Sequence, residues 1–303
     1  MRFHFKPAPE PNDVFPQQTR QMKKRSLWGD ALLRVLKSKT SCIGLCIIII
    51  LTLTAIFAPL IATHSPTGQD IVNRYQSPSA EHWLGTDELG RDIFSRIVYG
   101  TRISIQIGVI AVGIAMIIGV LIGSIAGYFG RWIDQIFMRI IDIMMAFPSI
   151  LLAIALVAVL GPSLTNAMIA VGIVGIPQFA RIVRSAVLSV KQTEYIEASK
   201  AIGGKHGRIL FLHVLPNCTA PMIVQATLSI GTAILDAAGL SFLGLGAQPP
   251  TPEWGAMLTD GRAAIQNAPW VVAFPGLAIF FVVLGFNLFG DGLRDALDPR
   301  LKA

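Results

Sequence analysis

"IMMAFPSILLAIALVAVLGPSLTNAMIAVGIVGIPQFA", residues 143–180, runs for 38 residues without one charged side chain. About 20 apolar residues of helix already cross the ~30 Å hydrocarbon core of a bilayer. The run is therefore too long for one crossing. Gly161-Pro162-Ser163 stands inside it, a turn tripeptide that ends one helix and starts the next. The stretch thus reads as two short spans back to back. Charge-free runs at 42–62, 103–127, about 214–235 and 263–290 supply four more. The expected fold is an all-α polytopic membrane protein with six transmembrane helices.

Composition agrees. Of 303 residues, 53% are hydrophobic and 14% charged, against roughly 25% charged in soluble domains. The formal charge of +7 raises nucleic acid as a partner. A basic excess in such a chain is explained more simply by Lys and Arg held on the cytoplasmic side, which leaves membrane lipid as the surroundings and no nucleic acid. With the N-terminus inside, segments 1–41, 128–142, 181–213 and 290–303 hold about 20 of the 25 Lys and Arg, and the outer loops hold only Arg74, Arg91, Arg96, Arg102 and Arg262. Both termini are then cytoplasmic. The chain divides into a basic tail (1–41), a first transmembrane helix (42–62), an outer loop with an amphipathic helix (63–100) and a transmembrane core (101–303). The tail is polar and proline-bearing, so the apolar run at Cys42 starts late for a cleaved signal and should remain as an anchor.

Cys42, Cys46 and Cys218 lack metal-type spacing, and an odd number gives no disulfide framework. Cys42 and Cys46 share a helix face, so a metal pair is conceivable, but small residues of a membrane helix are the simpler reading and no metal site is expected. Ala111, Ala115, Gly119, Gly123 and Gly127 recur every four residues, a strip that lets another helix approach closely. Pro148, Pro177 and Pro275 can each bend a membrane helix.

Residues 194–217, "EYIEASKAIGGKHGRILFLHVLPN", interrupt the apolar pattern with charges of both signs. Thr193 can cap a short helix with Glu194 and Glu197 in its first turn and Lys200 near its end, matching the helix dipole. Gly203-Gly204 stops it. Tyr195, Ala198 and Ile202 share one face. Periodicity leaves two readings open, an interfacial tie between spans or a docking element for a soluble partner. "SKAIGGKH" approaches the phosphate-cradling GxxxxGK[ST], but Ser199 replaces the first Gly, His206 replaces the hydroxyl and no strand precedes it. No ATP is expected on this chain. His206 and His213 lack an HExxH partner and read as solvated or locally satisfied.

"GTDELGRDIFSR" (85–96) reads as a helix on the membrane surface, with Ile93, Phe94, Ile97 and Val98 on one face and an Asp92–Arg96 pair on another. Asp87 and Glu88 are adjacent, diverge on a helix and have no nucleophile beside them, so no catalytic pair is expected. "SFLGLGAQPPTPEWGAML" (241–258) follows a span instead of a strand, so its Gly-x-Gly is no dinucleotide fingerprint, and Trp254 reads as an interfacial anchor and, with Asp236, as a candidate for the outer gate or substrate pathway. Asp236 lies about 28 Å of helix rise beyond Asn217. It is a gate or substrate contact near the outer boundary, or an interfacial hydrogen-bonding residue. Arg139 and Asp142, three apart, and Arg181 and Arg184 read as inner-face anchors. "GDGLRDALDPRLKA" reads as a short amphipathic tail ended by Pro299.

"EASKAIG", followed nine residues later by "HVLP", resembles the cytoplasmic EAA loop of permease subunits in bacterial binding-protein-dependent ATP-binding-cassette importers. "HWLGTDELGRDIFSRIVYGTRISI", "MRIIDIMMAFPSILLAIAL" and "LSFLGLGAQPPTPEWGAML" through "FNLFGDGLRDALDPR" are similar to the C-type subunit of the dipeptide and oligopeptide branch. The resemblance spans roughly residues 30–303. It implies an EAA loop at 187–216, a second homologous permease, two cytoplasmic ATP-binding subunits that hold ATP and magnesium, and an external substrate-binding protein. It also implies a multi-pass place in the bacterial inner membrane, and short peptides, glutathione or nickel complexes as cargo. By that match Glu197, Ala198, Ser199, Gly203 and Gly204 would couple to the ATPase, with Leu215 and Pro216 closing the motif. Ser199 stands where Ala is usual and His213 where Ile is usual. An ion-coupled secondary transporter is the rival class, and it would need paired repeats and midplane carboxylates.

Overall fold

Five apolar segments meeting through glycine and alanine leave little room for anything but helices against helices. The computed structural model describes residues 27–297, and the twelve α-helices among them are named in chain order. They are α1 (Leu27–Lys37), α2 (Lys39–Ile56), α3 (Ala58–Ile61), α4 (Ile93–Phe129), α5 (Arg131–Met145), α6 (Ser149–Leu160), α7 (Leu164–Lys191), α8 (Glu194–Ala201), α9 (His206–Arg208), α10 (Thr219–Phe242), α11 (Trp254–Gly261) and α12 (Trp270–Leu297). Five helical stretches are long and apolar enough to cross a membrane: α2, α4, α7, the composite 206–242 and α12. The bent pair of α5 and α6 brings the number to six when it is taken as one broken span. The first 26 residues and the expected stop at Pro299 lie outside the described residues.

The small-residue strip of α4 does what its spacing predicts. A Cβ on Gly119 would stand 2.5 Å from Phe179 Cβ, and one on Gly123 would stand 2.4 Å from the Ala180 carbonyl oxygen of α7. At those positions backbone meets backbone, so contact in a bilayer rests on close packing in place of water exclusion. Below this seam Ile107, Ala111 and Ala115 of α4 join Ala167, Val171 and Phe179 of α7 and Ala233, Ala237 and Leu240 of α10 in one buried cluster. Gly123→Ala should therefore cost about 1–3 kcal/mol through overpacking. Gly113→Ala, on the same helix with nothing within 4 Å of the new methyl, should be neutral or stabilise by up to about 1 kcal/mol. Thermal unfolding of both variants in one detergent checks the order, and equal midpoints would contradict the seam.

The 143–180 run breaks twice, not once. Gly161, at φ 94, ends α6, and Ser163 caps α7 through Asn166 N–H. The unexpected break is at Pro148, which lacks an N–H and takes extended backbone at ψ 131. There α5 and α6 meet at 92°. With 12 residues, α6 is only about 18 Å long and cannot cross a bilayer by itself. Pro177 and Pro275, by contrast, sit inside continuous helices.

The loop before α4 also differs from expectation. Residues 85–92 form a tight loop, not a surface helix: Gly85 and Gly90 have φ of 78 and 71, a region side chains resist. Helix α4 begins only at Ile93, capped by Asp92, whose Oδ2 accepts from Ser95 N–H at 2.8 Å. Asp92 turns to this cap and to His82 instead of pairing with Arg96. The division at residue 100 consequently falls inside a helix. On α5, Asp142 pairs not with Arg139 but with Arg181 of α7 at 2.6 Å, and Asp134 takes a two-pronged hold from Arg184 at 2.5 and 2.6 Å. Arg181 and Arg184 thus also tie α7 to α5. Residues 290–297, the described part of the C-terminal tail, extend α12, where Ala296, Leu293 and Phe289 cover Val35 of α1. Close approach recurs at α2, where a Cβ on Gly44 would meet Phe289 N of α12 at 2.5 Å.

Candidate translocation cavity and coupling element

A cavity of about 710 Å³ lies among α4, the α5–α6 bend, α7 and α10. Met144, Met145 and Phe147 give it an apolar wall, and Gln225, Ser229, Thr232 and Asp236 of α10 give it a polar one. Those four positions step by four, three and four residues, the spacing of one helix face. Gln225 Nε2 donates to Ser229 Oγ at 2.9 Å and to Gln178 Oε1 of α7 at 3.2 Å, so the stripe is tied across the cavity. Asn287 of α12 completes the polar lining. Asp236 was legible in the sequence. Gln178, Gln225, Ser229, Thr232 and Asn287 were missed, although the period of the α10 stripe could have found three of them.

Trp254 is elsewhere. It is 1% exposed and its indole N–H donates to the Ile97 carbonyl at 3.2 Å. The indole fits because Gly100 has no side chain: a Cβ there would stand 2.4 Å from Trp254 Nε1. Instead of anchoring at an interface, Trp254 wedges α11 against α4. Glu253 beside it caps α11 by accepting from Gly255 and Ala256 N–H at 3.0 and 2.8 Å. Burial pushes its carboxyl above the ordinary range, against the lowering effect of those two amides.

A buried ionic knot fixes the neighbouring loop. Asp87 accepts from the Arg91 guanidinium at 2.6 Å and faces Arg96 at 3.6 Å, while Arg91 reaches Asp260 of α11 at 3.2 Å. The other Asp87 oxygen accepts the Leu89 and Arg91 N–H groups, both at 2.9 Å. Burial first, then the Asp260 charge, raises Glu88 above the usual carboxylate range. These residues are bracing, not a proton-transfer pair.

At the other end, α8 carries Glu194 and Glu197 in its first turn and Lys200 in its last, as the dipole favours. Thr193 precedes it, but its hydroxyl donates back to the Val190 carbonyl at 2.6 Å instead of capping. Helix α8 is held by one side chain. Ile196 is fully buried among Val183 and Val187 of α7, Tyr128 of α4, and Ile209, Val214 and Cys218 leading into α10. Tyr195 and Ile202 remain outward at 46% and 87% exposure, with Ala198 on the same exposed face. Gly203, at φ 83, ends the helix, and Gly204 N–H returns to the Ser199 carbonyl at 3.0 Å. His206 is not simply solvated, since its Nδ1 lies 3.0 Å from the Tyr128 hydroxyl. Glu197, Ala198 and Gly203 are therefore outward, Ser199 and Gly204 half-buried, Leu215 packed beneath, and Pro216 exposed in a short 3₁₀ turn.

The family described as "Binding-protein-dependent transport system inner membrane component" matches residues 119–303, and that described as the "N-terminal TM domain of oligopeptide transport permease C" matches residues 26–78. The chain belongs to the binding-protein-dependent permease family. This permease is 59% identical over 302 residues to the dipeptide transport system permease protein DppC of Alkalihalophilus pseudofirmus, covering 99% of each chain. It is 50% identical over 279 residues to the glutathione transport system permease protein GsiD of Escherichia coli, covering 92% of each. In fold it resembles a chain of the inward-facing MetNI methionine ABC transporter, with TM-score 0.56, 21% identity, and coverage of 67% of the permease and 96% of that chain. The permease is thus an inner-membrane transport component with the fold of ABC-importer permeases.

Proposed function

We propose that this permease moves dipeptides and other short peptides inward by alternating access, paired with a second homologous permease and driven by two cytoplasmic ATP-binding subunits. An external substrate-binding protein delivers the cargo. ATP and magnesium belong to the ATPase subunits, and this chain holds no cofactor. The observation that carries the reading is mechanical. Ile196 seats α8 on the end of α7 and on the approach to α10, and these two helices supply most of the polar lining of the cavity. An ATPase that displaces α8 through Glu197, Ala198, Ser199 and the Gly203-Gly204 stop would displace the walls of the cavity with it, a rigid two-state element of the kind that coupling needs. The α10 stripe then faces the peptide backbone, and Asp236 faces its terminal ammonium.

The peptide assignment leans on relatives named for dipeptides, and those named for glutathione favour a second cargo of the same chemical kind. Reconstitution of the full complex in proteoliposomes tests both. Dipeptide-loaded binding protein should stimulate ATP hydrolysis and uptake, and Asp236→Asn should raise the apparent KM for peptide about tenfold, the loss of one charge-assisted hydrogen bond. Stimulation by glutathione alone would favour the second cargo. Transport by this chain alone on an ion gradient would overturn the importer.

A further inference from the structure

The ionic knot and the Asp92 cap leave one cluster at the loop end of α4 that neither bracing nor transport uses. His64, directly after the first span, and His82, in the loop before α4, bring their rings to a centroid separation of 4.6 Å. Both turn towards the same carboxylate. His82 Nδ1 lies 2.9 Å from Asp92 Oδ1 and His64 Nδ1 lies 3.9 Å from it. One ligand atom from each of the three residues falls within 4.8 Å of the other two. A tetrahedral zinc site with bonds of about 2.0–2.1 Å holds its ligand atoms about 3.4 Å apart. The observed separations bracket that value, so shifts below about 1 Å would close the site.

The surroundings favour a built site over a chance meeting. Asp92 and His82 are almost wholly buried while His64 is open to solvent. Asp92 Oδ2 is already committed to Ser95 N–H, which fixes the carboxylate and answers the positive end of the α4 dipole, leaving Oδ1 for the imidazoles. The backbone of His64 is pinned by its N–H to Ser95 Oγ at 2.9 Å, and that of His82 by its N–H to Ser79 Oγ at 3.0 Å. A brace for the loop needs His82 and Asp92 alone. The second imidazole, whose Nδ1 lies 3.0 Å from the Thr63 hydroxyl and 3.9 Å from Asp92 Oδ1, is not needed for it.

We propose that His64, His82 and Asp92 bind one divalent transition-metal ion of the zinc class at the loop end of α4. Two imidazoles and one carboxylate suit zinc, copper and cobalt and are poor partners for magnesium or calcium. The fourth position is open to water on the exposed His64 side. The ion would tie the residues after α3, the turn at 79–82 and the first turn of α4 to one point, and binding to the folded state alone would raise the melting temperature by mass action. This inference does not depend on the identity of the cargo.

The test uses the full-length permease with its partner subunits, stripped by chelator and titrated with Zn²⁺ by calorimetry and Co²⁺ by visible absorption. The expected result, in the absence of nucleotide, is one zinc ion per copy of this chain, a higher melting temperature with zinc, and no such stabilisation by Mg²⁺. His64→Ala removes an exposed ligand without touching the cap, and should weaken zinc binding by more than about tenfold, since even outer-shell losses reach that size. His64→Cys should restore binding and add a sulfur-to-cobalt charge-transfer band, which a purely structural role for residue 64 would not produce. Absence of zinc binding in the unaltered protein, or unchanged affinity in His64→Ala, would overturn the proposal and leave the three residues as a hydrogen-bonded brace.

Discussion

Asp87→Ala is expected to lower stability by about 3–5 kcal/mol, enough to prevent accumulation of a folded permease. The size follows from what remains. Arg91 and Arg96 are 2% and 1% exposed, and without Asp87 the only acid still holding either guanidinium within 4 Å, among the described residues, is Asp260 on Arg91 at 3.2 Å. Two cations would be buried for one partner, at the expense normally seen when half of a buried pair is removed. The same change also frees the Leu89 and Arg91 amides that the Asp87 carboxylate holds. Asp87→Asn keeps a carbonyl for those amides and loses the charge, so it should fall between wild type and Ala. Membrane-inserted yield and the detergent melting temperature measure this ordering. If the Ala variant melted within a degree or two of wild type, the knot would be ornamental.

The second large effect concerns coupling. Gly203→Val and Glu197→Lys should each reduce peptide uptake by the factor associated with losing an allosteric coupling energy, about 5- to 150-fold, while melting temperature and membrane insertion stay near wild type. A side chain at Gly203 has open space around it, so the obstacle is backbone conformation. At φ 83 a β-branched residue is strongly disfavoured, and the end of α8 would have to rearrange. Glu197→Lys instead reverses charge in the first turn of α8, against the dipole and on the outward face. Gly207→Ala is the control, with open space and no positive φ, and should transport normally. Normal uptake with normal ATPase association in both test variants would remove α8 as the coupling element.

Spans were legible because desolvation leaves its mark residue by residue: no charge survives for 21 residues at 42–62 or 38 at 143–180. The four-residue strip on α4 was legible for a related reason, since at Gly119 and Gly123 a Cβ would collide with α7 and only a glycine lets the two helices come so close. What was misread depended on partners far away in the chain. Charges at 85–96 looked like a solvated helix face because the loop that folds Asp87 onto Arg91 and Arg96 is completed from far away, by Asp260, 169 residues beyond Arg91. Trp254 looked interfacial because nothing local shows that Gly100 leaves room for it. Pro148 was read as a bend and is a break, since it has no N–H to continue the helical ladder and its extended ψ turns the chain by 92° between α5 and α6. In the candidate site Asp236 stood out as a carboxylate among apolar residues, whereas Gln225, Ser229 and Thr232 count for little singly and become a surface only when wound at 3.6 residues per turn.

Helix α4 has 37 residues without interruption, about 55 Å of rise, well beyond the ~30 Å it must cross. Its first turn is held by Asp92 and its last by Lys191, which donates to the Tyr128 carbonyl at 2.6 Å, and by the Tyr128–His206 contact. Both water-facing surfaces of the protein therefore share one axle. Under the proposed coupling, a displacement delivered beside α8 would be carried to the opposite loop along this one continuous helix, so the two ends of α4 are expected to move together.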